Sequence, residues 1–178
     1  VSLDGSTLDV ADEGDNEDVF GRPGAIRGKS AYPQIRFVSL VESGTHVLFG
    51  SQMGGYSTGE IPLAKGVLCW LHHGMLCLAD RQFFGFAFWN QARATGAQSL
   101  WRIRKNSRLT CERRLADGSY LSRIYPSERD RRHKTNGVVV RVIEYRLEGV
   151  AGAEPIYRLI TTILDPELAP AHELAALY

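Results

Sequence analysis

The chain has 178 residues, 44% hydrophobic and 23% charged, a balance that supports one sizeable core and excludes disordered, collagen-like and membrane-embedded classes. No apolar stretch is long enough to span a bilayer and no signal-peptide pattern is present. The formal net charge of +1 hides an asymmetry: residues 1–20 hold seven acids and no Lys or Arg, whereas residues 102–134 hold eleven Lys and Arg against Glu112, Asp117, Glu128 and Asp130.

The predicted elements run as follows. Leu3 to Val10 is a short strand, and residues 11–33 form an acidic, then Gly/Pro-rich loop punctuated by Gly21, Pro23, Gly24, Gly28 and Pro33. Gln34 to Val41 and His46 to Ser51 alternate as a hairpin around Ser43-Gly44. Ser57 to Leu71 is a helix capped by Ser57 or Thr58, with Glu60 in its first turn. Met75 to Ala79 is a continuous apolar run, the pattern of a strand buried on both faces. A helix from Phe84 to Thr95 is ended by Gly96, and a strand follows from Ser99 to Arg104. This order argues an α/β fold, a mixed sheet with helices packed on it.

After Lys105 strands dominate: Leu109 to Leu115, a turn at Asp117-Gly118, Tyr120 to Tyr125, Val138 to Leu147 and Ile156 to Leu164. Residues 126–137 between them are polar and read as a mobile loop. Asp165-Pro166 and Pro170 introduce a helix from Ala171 to Tyr178. The first strand has no preceding turn and the last helix no stop signal, so a fragment of a longer polypeptide is expected. The odd count of Cys69, Cys77 and Cys111, without C-x-x-C spacing, suits a reducing compartment, and the expected location is cytoplasmic.

Two carboxylates stand out as chemistry. Asp4 lies within a strand beside Gly5, where a ligand can approach closely, and Asp80 ends the buried run Met75 to Ala79, where open α/β sheets place ligands. Two such groups converging would make an oxygen-rich site for Mg²⁺; taken singly, each reads equally well as a turn or cap residue. Adjacent His72 and His73 point about 100° apart on a helix and cannot share one metal from one face. The acids from Asp9 to Asp18 lack calcium-loop spacing, and Phe83, Phe84, Phe86, Phe88 and Trp89 are expected in the core. Arg102, Arg104, Lys105 and Arg108 alternate on a strand and its exit, as a phosphate track or a solvated face would. Seventeen of the 21 basic residues are Arg, which fits bidentate phosphate binding and the codon bias of a GC-rich genome equally well.

The segments Leu3-Asp4-Gly5-Ser6-Thr7-Leu8-Asp9-Val10, Asn16 to Gly21, Tyr32-Pro33-Gln34-Ile35-Arg36 and Leu40-Val41-Glu42 with Gly44-Thr45-His46, taken in order, resemble the DDE transposases of bacterial insertion sequences, of the insertion-sequence-four type. Leu78-Ala79-Asp80-Arg81 with Phe83 resembles that family's second catalytic block, and Tyr157 to Pro166 the strand leading to its third. The resemblance implies a ribonuclease-H-like catalytic core interrupted by a β-rich insertion: residues 1–105 the first part of the core, 106–165 the insertion, 166–178 the start of the C-terminal core helix. It implies Asp4 and Asp80 as catalytic, metal-holding carboxylates for two Mg²⁺ ions, with Mn²⁺ as a substitute. The third carboxylate is a Glu in a Y-x₂-R-x₃-E-x₆-K signature, of which Tyr178 is the opening residue here. Gln82 stands where the family usually has Gly.

The partners implied are double-stranded DNA, as terminal inverted repeats and target, and a second copy of the chain on DNA, at the nucleoid and away from membranes. Phosphate contacts are expected from Arg102, Arg104, Lys105, Arg108, Arg113 and Arg114. The expected function is metal-dependent phosphodiester cleavage at transposon ends and strand transfer in the intact protein, with this fragment inactive alone. The rival expectations are a non-catalytic DNA-binding remnant and a hydrolytic nuclease built on the same core.

Overall fold

The computed structural model describes residues 1–24 and 32–178, so Gly28 of the predicted Gly/Pro-rich loop lies outside the described residues. The chain divides into two compact units, Val1–Leu71 and His72–Tyr178.

In the first unit, β1 (Ser2–Asp9), β2 (Gln34–Val41) and β3 (Leu48–Gly55) form an antiparallel meander with β2 in the middle. Period-2 alternation aims Val38 and Leu40 of β2 into the core, where both are fully buried. The register sets Asp4 opposite Ser39, and the β2–β3 pairing shifts between Leu40 and Val41. The hairpin turn is held by Glu42, whose carboxylate accepts bonds from the Thr45 hydroxyl and the Gly44 and Thr45 amides; these hold its pKa down at about 2. The predicted loop at 11–33 contains a helix, α1 (Gly14–Phe20), which buries none of its residues. No apolar stripe therefore marks it in the sequence. Asp15 and Glu17 in its first turn suit the helix dipole, Arg22 pairs with Asp12 and Glu17, and Gly21 leaves the helix at φ 71°.

The helix predicted from Ser57 to Leu71 is shorter: α2 (Glu60–Val67) followed by a 3-10 turn, Leu68–Trp70. Its N-cap is Gly59 rather than Ser57 or Thr58, and no side chain caps it. Leu63, Ala64 and Val67, one face at i, i+1 and i+4, bury against β2 and β3.

The second unit opens with a parallel β-α-β unit: β4 (Leu76–Ala79), α3 (Phe86–Ala94) and β5 (Gln98–Arg102). Gly96 at φ 85° turns the chain from α3 toward β5. Beyond β5 the sheet continues antiparallel through β9 (Tyr157–Thr161), β8 (Val138–Tyr145), β7 (Tyr120–Ile124) and β6 (Arg113–Arg114). The strand expected over 109–115 is thus reduced to two residues, since its polar side chains have no core to face. The loop expected over 126–137 contains α4 (Glu128–His133), where the Ser127 hydroxyl accepts the Asp130 amide and Lys134 closes the end at φ 55°. Like α1, α4 buries no residue, so no apolar stripe marks it in the sequence.

The core of this unit is aromatic at one end, where Trp89 and Trp101 meet edge to face at 5.0 Å and Phe88 lies 5.4 Å from Trp101. The expected core role holds for Phe83, Phe88 and Trp89, while Phe84 and Phe86 are half-buried. At the other end, Leu174 of α5 (Ala171–Leu177) packs on Leu100, Ile143 and Leu159. β4 is less enclosed than its run of apolar residues suggests: Cys77 and Ala79 are buried, while Leu76 and Leu78 are half-buried against the Leu174 cluster. No helix among the described residues is long and apolar enough to cross a membrane.

Candidate active site

Asp4 belongs to the first unit and Asp80 to the second. On β1, Asp4 is exposed, and its Oδ1 accepts the Gly5 amide at 2.8 Å. Gly5 has a local reason as well: a Cβ there would lie 3.1 Å from the Glu60 carboxyl carbon, so the glycine lets the first residue of α2 rest against β1.

Asp80 is half-buried at the carboxyl end of β4, where its carbonyl accepts the Phe83 amide at 3.0 Å and so turns the chain toward α3. Tyr178, at the far end of α5, donates its hydroxyl to the Ala79 carbonyl at 3.3 Å. Burial pushes the Tyr178 hydroxyl well above its ordinary range, and the Asp80 carboxylate beside it adds to the rise. Two residues 98 positions apart in sequence are thereby brought together inside one unit, through the docking of Leu174 in the core. Gln82 is exposed.

Arg102 is half-buried and committed: its guanidinium donates to Glu154 at 2.8 Å and lies 4.8 Å over the Tyr157 ring, which stacks on Tyr145 at 5.2 Å. Arg81 reaches the same Glu154 oxygen at 3.0 Å. Glu154 and its pairing with these two arginines escaped the sequence reading, because the partners lie 73 and 52 positions from it and no spacing links them. Arg104, Lys105, Arg108, Arg113 and Arg114 are exposed, the last two on β6 opposite Leu121 and Tyr120.

The three cysteines are free thiols, and burial pushes the Cys77 thiol up to about 11, away from nucleophilic use. Among the described residues no group of three or more His, Cys, Asp or Glu side chains is placed to hold a metal ion. Asp4 and Asp80 are nevertheless the donor type that Mg²⁺ takes, which it usually holds through one or two carboxylates with water completing the shell.

A family model described as a transposase DDE domain matches residues 1–178. The chain belongs to that family. It is 24% identical over 183 aligned residues to the transposase InsG for insertion sequence element IS4 of Escherichia coli (strain K12). That alignment takes in the whole of this chain and 40% of the relative, so the chain spans less than half the length of the curated protein it matches. The fold class agrees with the membership: α/β, ribonuclease-H-like, with strands in a mixed arrangement flanked by helices.

Proposed function

We propose that this chain is the front and middle of a transposase catalytic domain that cuts phosphodiester bonds at the ends of an insertion element and joins them to target DNA. The match of the entire chain to the transposase DDE family carries the reading. The position of Asp80 at the carboxyl end of β4, under Tyr178, supports it. In this reading residues 1–105 and 166–178 belong to the catalytic core and 106–165 to its insertion. The partners are double-stranded DNA and a second copy of the chain, in the bacterial cytoplasm.

Asp4 and Asp80 supply carboxylate oxygens for divalent ions, Mg²⁺ or Mn²⁺, and a Glu downstream of Tyr178 supplies the third carboxylate. When bound, such ions lower the pKa of water and stabilise the leaving oxygen of an in-line displacement. The protein itself forms no covalent bond to DNA, so no Ser or Cys nucleophile is required. Cleavage adds water across a P–O bond and leaves a 3′-hydroxyl; that hydroxyl then displaces a 3′-oxygen at a target phosphodiester, one P–O bond forming as another breaks. Tyr178 braces the backbone beside Asp80, and Arg102, Arg104, Lys105, Arg108, Arg113 and Arg114 are the candidate phosphate contacts.

The test is an assay of a length-extended protein on DNA carrying the element ends. Asp4→Ala and Asp80→Ala are each expected to lower cleavage by at least about 10³-fold, the scale of losing an electrostatic centre in the transition state, while leaving the circular dichroism spectrum unchanged. Cleaved and joined products from the unsubstituted protein support transposition; cut products alone make it a nuclease, and undiminished cleavage by either variant removes that residue from the site.

A further inference from the structure

Asp80 and Glu154 are two carboxylates within reach of the same guanidiniums, and the pairing is one-sided. Arg81 and Arg102 both donate to one oxygen of Glu154, at 3.0 and 2.8 Å, while among the described residues Asp80 makes no ion pair. The strand register makes this choice unexpected. β4 and β5 run parallel with Leu78 beside Leu100 and Ala79 beside Trp101, so one step further along Arg102 stands beside Asp80. Alternation puts that pair on the face of Leu78 and Leu100, where Leu174 of α5 packs. Tyr178, at the end of α5, is accordingly flanked by both the Asp80 carboxylate and the Arg102 guanidinium.

The two arginines are not held equally. Arg102 is fastened twice, by Glu154 and by the Tyr157 ring at 4.8 Å. Arg81 follows Asp80 directly in the chain, and 45% of its side chain is exposed, so core packing does not restrain it. Among the described residues its guanidinium has no partner but Glu154. Glu154 is itself fixed at the backbone, where its amide donates to the Tyr157 hydroxyl at 3.1 Å, and Tyr157 stacks on Tyr145 at 5.2 Å. The connection between β8 and β9 thus reaches across to the residue after Asp80. Partly exposed ion pairs add little to stability, so what this one decides is where the guanidinium goes. On Asp80, a guanidinium fork would take the oxygens that a hard cation needs.

We propose that Glu154 is a positioning residue for Asp80: by holding Arg81 it keeps the Asp80 carboxylate open to a divalent ion. The inference rests on the transposase reading, in which Asp80 is a metal ligand, and adds to it a residue that acts through Arg81 rather than on the ion.

The experiment is a double-variant cycle on the length-extended protein, read as Mn²⁺ binding by electron paramagnetic resonance. Glu154→Gln is expected to weaken binding about fivefold, the upper range for an exposed ion pair, because the freed Arg81 turns to Asp80. Arg81→Gln alone, and Arg81→Gln combined with Glu154→Gln, are expected to stay within about twofold of the unsubstituted protein. That non-additive pattern supports the inference. Equal strengthening by Arg81→Gln in both backgrounds would be the summed field of the charges and overturns it, as does unchanged binding by Glu154→Gln. Tyr157→Phe removes the bond to the Glu154 amide and keeps the ring beneath Arg102. It is expected to weaken binding in the same direction, and it decides the matter if Glu154→Gln fails to fold; unchanged binding then overturns the inference. Asp80→Ala separates this inference from the reading beneath it. If Asp80→Ala lowers Mn²⁺ binding and the cycle is additive, the role of Glu154 falls and the transposase reading stands. If the unsubstituted protein binds no Mn²⁺, or Asp80→Ala leaves binding unchanged, Asp80 is not a metal ligand and both fall.

Discussion

Arg141 is a large cation with no exposed surface, and burying it is tolerated only because every arm of its guanidinium is engaged. Nε donates to the Ser119 hydroxyl at 2.8 Å, one terminal nitrogen to the Ala169 carbonyl at 2.7 Å, and the other pairs with Asp117. Asp117 also accepts the Ala171 amide at 2.8 Å, so one carboxylate ties the β6–β7 turn to the start of α5. Burial pushes the Asp117 carboxyl up; bonds from Ser119 and Ala171 and the charge of Arg141 outweigh it, and the net pKa lies below the usual carboxylate range. A carboxyl with a depressed folded pKa stabilises the fold above its unfolded value, near pH 4, and that contribution is lost as pH falls through the depressed value. Asp117→Ala is therefore expected to cost about 3 kcal/mol at neutral pH by urea unfolding, since it strands a buried charge. Its acid-unfolding curve should also lose the Asp117 transition. A cost under about 1 kcal/mol would mean that Ser119 and Ala169 satisfy Arg141 alone.

At the scale of elements, docking rather than propensity decides what forms. α1 has no buried residue and holds its place through backbone contacts at its end: the Tyr56 amide donates to the Phe20 carbonyl at 2.6 Å and the Gln34 amide to the Gly21 carbonyl at 3.0 Å. A Cβ on Gly55 would stand 2.7 Å from that Phe20 oxygen, which is backbone and cannot swing aside. Gly55→Ala is expected to destabilise by about 1–3 kcal/mol, the range of overpacking changes, and to raise amide exchange across α1 before the rest of the first unit opens. Equal exchange rates in the two proteins would show that α1 does not depend on this approach. The alternating apolar strands, the Gly-terminated α3 and the Ser43-Gly44 turn could be placed from sequence because each carries its own periodic or turn signal. The helices α1 and α4 could not, because a fully solvated helix presents no stripe.

For the whole molecule, the transposase reading requires three carboxylates, of which Asp4 and Asp80 are the two expected in this chain. The 178-residue chain alone is expected to give no Mg²⁺-dependent nicking of supercoiled DNA, measured against a length-extended protein. Nicking that Asp80→Ala abolishes would overturn the three-carboxylate requirement.

Asp80 was legible as a candidate because a carboxylate ending an apolar run is conspicuous in one dimension, Asp4 because it stands in a strand beside Gly5, and collinear motifs tied both to the transposase family. The strand and helix order of the core was legible for the same reason: side-chain periodicity follows directly from backbone geometry. The approach of Tyr178 to Asp80, the fastening of α5 by Arg141 and Asp117, and the commitment of Arg102 to Glu154 were not legible. Each joins residues from separate elements, and a polar pair far apart in sequence carries no period or spacing. Burial gives such pairs their meaning, and burial is decided by which elements pack together.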